Sequence, residues 1–328
     1  MEASWGETGP RLRELAAQED LSADECLRIS LALVSEDANQ IDYLRDRLLE
    51  AEPAELPVIR SALLPHSKRL AEEMWSLVGD PQSPEGRRFR AACALAEFDP
   101  QGADWDKTAG PTVEVLVTEN PLHVAAWVEA LRPVASKLLP PLQAVFEDPD
   151  RLESQRAVAT GILADYAARE PAVLARLVCT ADPKQFATLM PKLQAHGSEA
   201  VELLEAQLAK QAAQDATEDA KETLAKGQAN AAVALLRMDR QETVWPLLRH
   251  SPDPRARSYL VHRLAPLGAD SHALIRRLDE EEDVSIRRAL LLALGEFDER
   301  CESHQPNENT RRGDCGGRDM DLDVFSGV

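Results

Sequence analysis

Few residues of this 328-residue chain have the types and spacing that catalysis or metal binding requires. Near the C-terminus, Cys301 and His304 form a Cys-x-x-His pair, and Cys315 follows as a third candidate metal ligand. Zinc is held in proteins by a complete set of thiolate, imidazole or carboxylate ligands, and no further ligand lies near these three in the sequence. We therefore predict no metal site here, and we expect residues 301–328 to form a disordered or aberrant tail.

Three histidines are candidates for acid–base catalysis: His250, His262 and His272. All three are expected in loops or at helix ends, where histidines usually bond to carbonyls or water. The chain also lacks the phosphate-binding, dinucleotide-binding, nucleophile-elbow, zinc-protease and kinase motifs. We therefore predict no catalytic, cofactor-binding or metal-binding residue, and no cofactor.

Charged residues recur at equivalent places in two similar segments: Glu97 and Glu296, and Arg87, Arg88, Arg90, Arg287 and Arg288. An active site seldom recurs in this way, so a structural role is favoured. In that role each Arg would pair with the Asp of an adjacent turn. The alternative is a ridge that binds an anion or a phosphopeptide. The acidic run 279–283 is expected to be a solvated loop that contains a helix cap.

The two similar segments, residues 88–99 and 287–298, both end in Ala-Leu-(Ala/Gly)-Glu-Phe-Asp. Turns of Asp followed by Pro or Val recur with a spacing of about 35 residues, which is typical of helix–turn–helix repeats. Each Asp is expected to cap a first helix that is rich in small residues, and a Leu-rich second helix follows. These turns begin at Asp148, Asp182, Asp253 and Asp283. The small residues expected to let neighbouring helices approach closely are Ala91, Ala92, Ala94, Ala157, Ala159, Ala231 and Ala232.

Local patterns place several helices. Leu and Ala are abundant while aromatic residues make up only 4% of the chain, which favours helices over strands. Ser22 and Glu25 form a capping-box pattern, followed by an apolar stripe from Cys26 to Val34. Further helices are predicted at residues 230–238, 244–249, 255–265 and 271–279, with a polar loop or helix extension at 211–222.

The predicted fold is all-α: an α-solenoid of HEAT-like (armadillo-type) helical-hairpin repeats. Residues 1–83 are expected to form an N-terminal helical segment that starts the solenoid, and residues 84–300 the HEAT-like repeats. The pattern stops within a repeat near Asp298, which predicts a chain that is truncated or altered at its end.

The net charge of −20 would repel nucleic acid and anionic lipid, so neither is an expected general partner. No apolar run is long enough for a membrane span, and residues 1–10 lack the apolar core of a secretory signal. Cys26, Cys93 and Cys179 lie within helical patterns and are expected to be buried thiols in a reducing compartment. We therefore predict a cytoplasmic protein.

Several segments resemble the HEAT-repeat region of large bacterial proteins. In those, a serine/threonine kinase domain precedes the repeats, and a formylglycine-generating-enzyme-like (sulfatase-modifying-factor) domain often follows. The resemblance covers roughly residues 10–299 and implies a helical region between a kinase or sensor module and an output domain. That family's catalytic residues belong to the flanking domains, so none maps onto this chain. The resembling segments are residues 43–49, 88–100, 119–123, 228–236, 245–259, 262–270 and 284–299.

Three hypotheses for function follow. The favoured one is a non-catalytic scaffold whose partner is another protein or the flanking domains of a larger one. The second is a HEAT-like enzyme, such as a DNA glycosylase or a chromophore lyase. A glycosylase would need a basic, aromatic-lined groove, which the net charge and the three Tyr residues disfavour. The third is a truncated remnant of a kinase and sulfatase-modifying-factor fusion protein.

Overall fold

The computed structural model describes residues 10–15 and 21–302, which contain helices and no strand. The predicted all-α class is therefore confirmed, and no helix in this part of the chain is long and apolar enough to cross a membrane. The predicted tail from residue 303 onward lies outside the described residues. Besides a helical stretch at residues 10–15, the helices are α1 (Ala23–Leu33), α2 (Asn39–Leu48), α3 (Leu56–Leu63), α4 (Ser67–Gly79), α5 (Glu85–Phe98), α6 (Trp105–Leu116), α7 (Pro121–Leu131), α8 (Ala135–Glu147), α9 (Glu153–Tyr166), α10 (Pro171–Thr180), α11 (Pro183–Gln194), α12 (Gly197–Leu208), α13 (Glu218–Leu236), α14 (Arg255–Leu264), α15 (Ser271–Glu280) and α16 (Val284–Glu302).

Several helices begin where their capping residues predict. Ser22 and Glu25 form a reciprocal capping box at α1, in which the Ser22 N–H donates to the Glu25 carboxylate at 2.9 Å. The carboxylate of Asp182 caps α11 in the same way, and that of Asp283 accepts two backbone N–H groups at the start of α16. The bounds of α14 and α15 lie within about one residue of the prediction.

The start of α13 was predicted too late. The helix begins at Glu218 because Thr217 accepts the Ala220 N–H at 3.2 Å and so caps it. Its first half is rich in Ala and charged residues, which favour a helix without needing an apolar stripe. Residues 211–217 form the loop that the polar composition of this segment predicts.

Two other predictions are wrong. Residues 244–249 contain a short 3-10 helix, Trp245–Leu248, in place of a second α-helix. Pro246 has no N–H to donate, and the segment is too short for the remaining bonds to compensate. Asp148 caps no helix, because a turn separates it from α9, which begins at Glu153.

Small side chains bring the helices together. In α5 every residue from Ala91 to Ala96 is buried, and α5 contacts α3, α4, α6 and α7. Ala and Cys on all sides of a helix let several neighbours approach it at once, while Leu fills the space between them. The buried apolar residues of successive helices form one continuous core. Of the Ala residues expected to pack in this way, Ala157 is the exception, because it is exposed.

A buried arginine connects three of these helices. Arg60 of α3 donates to the carbonyls of Cys93 in α5 at 2.9 Å and of Ala130 in α7 at 2.6 Å. Its Nε also lies 2.6 Å from the carboxylate of Glu97. A charge with this little exposure to water is tolerated because acceptors surround it. Glu97 therefore has a structural partner rather than a free carboxylate.

Candidate functional site

An open apolar groove of about 330 Å³ lies between α7 and α9. Apolar side chains from both helices form most of its surface, and Asp165 is its one titratable residue. The groove is open beside Gly161, where an added Cβ would meet no atom within 4 Å. The lining residues are Pro121, Val124, Ala125, Val128, Ala157, Val158, Gly161, Ile162 and Asp165.

Two large apolar side chains are exposed at the N-terminal ends of the same helices. Leu122 of α7 is 87% exposed and Leu152, which immediately precedes α9, is 67% exposed. The position of Leu122 is set locally: Asn120 caps α7 by accepting the Leu122 N–H at 3.0 Å, with Pro121 in the first turn. The groove and these two leucines together place apolar surface in water, which often marks an interaction site.

The C-terminal ends of α7 and α9 are joined. The Tyr166 hydroxyl donates to the Val128 carbonyl at 2.7 Å. Arg132 pairs with Asp165 at 2.8 Å and with Glu129 at 2.7 Å, and its guanidinium lies over the Tyr166 ring. Burial raises the pKa of Tyr166, so its phenol stays protonated and remains a donor. The groove is therefore held together at one end and open along its length.

Of the three clustered arginines of α5, two have hydrogen-bond or ion-pair partners and one does not. Arg87 pairs with Glu50 at 3.1 Å. Arg90 donates to the Ala51 carbonyl at 2.7 Å and lies over the Trp127 ring. Arg88, by contrast, has a buried Nε without a partner among the described residues.

Among the recurring residues of α16, Arg287 and Glu296 have structural contacts. Arg287 donates to the Glu281 carbonyl at 3.0 Å, while Arg288 is exposed. Glu296 contacts His262, as Glu97 contacts Arg60, so the recurring glutamates hold neighbouring helices together. The acidic run 279–283 contains the cap that the sequence predicts, but Glu281 within it is buried rather than solvated.

Pairing of an Arg with the Asp of an adjacent turn occurs elsewhere in the chain. Arg156 at the start of α9 pairs with Asp182 at 2.9 Å, and Arg249 pairs with Asp283 at 2.9 Å. The predicted pairing is thus present at two of the predicted turn residues, Asp182 and Asp283, but the arginines that form it are not the ones singled out from the sequence.

The remaining candidates do not converge. The backbone N–H of His250 donates to Ser285, and that of His272 to Asp270. Cys93 and Cys179 are buried, and burial raises the pKa of each thiol to about 12. Cys26 is only partly buried, and Leu27 takes the buried place in its stripe. His304 and Cys315 lie outside the described residues, as does the side chain of Cys301.

In the part of the chain that the structure describes, no three His, Cys, Asp or Glu side chains are grouped to hold a metal ion. The apolar groove was not identified from the sequence. The sequence signals at the groove are Leu122 after the Asn120 cap and the small residues Ala125, Ala157 and Gly161, and small residues also occur where helices pack closely.

Comparison with known protein families and with curated proteins found no match for this chain.

Proposed function

We propose that the helices form an α-solenoid of HEAT-like repeats, and that this scaffold binds an amphipathic helix of a protein partner in the groove between α7 and α9. The regular spacing of polar contacts between helices supports the repeat. The pairs Arg87–Glu50, Arg151–Glu114 and Arg255–Glu218 each span 37 residues. Repeat units that stack on one another produce such a constant spacing.

The groove is the observation that carries the proposal. Val124, Val128, Val158 and Ile162 supply apolar surface, while Ala125, Ala157 and Gly161 leave room above it. A helix with apolar residues at positions i, i+3, i+4 and i+7 matches a groove between two helices. Leu122 and Leu152 would extend the contact at the open end.

Charge favours a basic occupant. At the joined end of the groove, the carboxylates of Glu129 and Asp165 face a single cation, Arg132. The whole chain carries a net charge of −20, so its field attracts a cationic segment. The partner would therefore carry Lys or Arg on the polar side of its helix. In a larger protein of the kind that the sequence resembles, the same helix would come from a neighbouring kinase-type module.

Selection of helical peptides tests the proposal. A displayed library of amphipathic helices is selected on the full chain, and the enriched peptides are measured by fluorescence anisotropy. We expect enriched peptides with basic polar faces. Ala125→Trp fills the groove and should weaken their binding at least about tenfold, or about 1.4 kcal/mol. Ala126→Trp is the matched control, because Ala126 is exposed on α7 but does not line the groove.

A second variant separates blocking from misfolding. Gly161→Leu fills the groove from α9, and thermal melting by circular dichroism checks that each variant folds. The proposal fails if no peptide is enriched, or if folded A125W and G161L bind the peptides as tightly as the unmodified chain.

A further inference from the structure

We propose that a second site, a cavity between α4, α5 and α6, binds a small organic carboxylate through Arg88. The cavity has a volume of about 290 Å³, at the lower limit for small-molecule sites. Its walls are Val78, Gly79, Glu85, Arg88, Phe89, Lys107, Thr108, Pro111, Thr112 and Val115. This site is separate from the proposed groove, and its occupant is a small molecule rather than a helix.

Arg88 is the feature that indicates an anion. It is partly buried, and its Nε has no hydrogen-bond partner within residues 10–15 and 21–302. The adjacent Arg87 and Arg90 both have partners, so the local fold does supply acceptors to guanidinium groups. Leaving a partly buried guanidinium without an acceptor costs free energy, and a bound carboxylate would recover it with two parallel bonds.

The other charged groups at the cavity limit the charge of the ligand. Lys107 is already paired with Asp104 at 3.0 Å and is 84% exposed, so it adds little positive potential. Glu85 lines the cavity and would repel a second negative charge. Asp80, which follows Gly79 of the wall, is bonded to the Gln82 N–H and the Ser83 hydroxyl, and these bonds together with the nearby charge of Arg88 lower the pKa of its carboxyl. A monoanion therefore fits better than a phosphate dianion.

The other side chains that line the cavity indicate the chemistry of the rest of the ligand. Val78, Phe89, Pro111 and Val115 present apolar surface, and Thr108 and Thr112 add hydroxyl groups. The Thr112 hydroxyl already donates to the Thr108 carbonyl at 2.9 Å. A carboxylate attached to a short apolar or aromatic body would pair with Arg88 and bury that body against these side chains.

Fluorine NMR of 4-fluorobenzoate tests the proposal. We expect its signal to broaden in the presence of the full chain, while the neutral 4-fluorobenzamide of the same shape stays sharp. Arg88→Gln should weaken benzoate binding at least about tenfold. Arg88→Lys should give an intermediate affinity, because lysine keeps the positive charge but cannot form two parallel bonds to a carboxylate. Arg288→Gln is the control, because Arg288 is an exposed arginine of α16 that does not line the cavity.

Inorganic phosphate is added as a competitor and should displace benzoate poorly. Three outcomes would overturn the proposal: no broadening with the unmodified chain, equal binding of benzoate and benzamide, or unchanged benzoate binding in folded R88Q. Phosphate that competes more strongly than benzoate would show that the ligand class is wrong.

Discussion

Two junctions between helices differ in how they are filled. Between α13 and α14, polar side chains occupy the junction: Asn230 is fully buried, and Arg263 bonds to its side chain and to the Lys226 carbonyl. Between α7 and α9, the corresponding space is the open apolar groove, bordered by Ala125 and Gly161. The difference shows that similar helices produce a closed joint or an open surface according to side-chain size and hydrogen bonding.

The closed junction depends most on Asn230. Its side-chain amide donates to the carbonyls of Val178 and Ala181, each at 2.9 Å, and its oxygen accepts from Arg263. Asn230→Leu would leave buried carbonyls and a largely buried guanidinium without partners. We expect a loss of about 3 kcal/mol in the free energy of unfolding, measured by urea denaturation with far-UV circular dichroism.

Gln228→Leu provides the control for this substitution. Gln228 also donates to two carbonyls, those of Leu208 and Lys210, but these lie at the end of α12 beside the 211–217 loop, where water can replace the bond. The loss in the free energy of unfolding should stay below about 1 kcal/mol. Equal losses in the two variants would contradict the view that Asn230 closes this junction.

The sequence predicted features that neighbouring residues determine. The capping box of Ser22 and Glu25 and the bounds of α14 follow from local hydrogen bonds and from the period of the helix, so they could be predicted. The groove could not, because Ala157 has the same local signal whether it packs against another helix or borders an opening. Which neighbour approaches a small residue depends on the positions of helices distant in sequence.

At the open junction, Tyr166 holds the joined end. Tyr166→Phe removes the donor to the Val128 carbonyl and leaves that carbonyl buried without this bond. We expect a loss of about 1 kcal/mol in the free energy of unfolding by urea denaturation. Tyr43→Phe is the control: because Tyr43 is 37% exposed, this substitution should change the free energy of unfolding little. A similar loss in both variants would mean that the Tyr166 hydroxyl does not hold this end together.

Two helical glycines compare the open groove with the close packing of α13 against α10 and α12. A Cβ at Gly161 meets nothing within 4 Å, whereas a Cβ at the buried Gly227 of α13 lies 3.0 Å from the Gln207 side chain and 3.7 Å from Cys179. Gly161→Ala should therefore raise the free energy of unfolding by about 0.5–1 kcal/mol, the usual gain of Ala over Gly in a helix. Gly227→Ala should gain less, since Gln207 must move. If G227A gains as much stability as G161A, α13 packs less tightly against α10 and α12 than these contacts indicate.

Acid should weaken the closed junction through Glu218. Hydrogen bonds from Lys221, and then from Arg255 of α14, lower the pKa of this carboxyl below its usual 4.5. A lowered pKa in the folded chain means that the ionised group stabilises the fold above the unfolded value, and this contribution is lost as the pH falls through the folded value. The urea midpoint should therefore drop less in Glu218→Gln than in the unmodified chain between about pH 6 and about pH 3. Because Glu218 is exposed, the difference will be small. If the urea midpoint depends on pH in the same way in both proteins, the bond from Arg255 to Glu218 does not help to join α13 and α14.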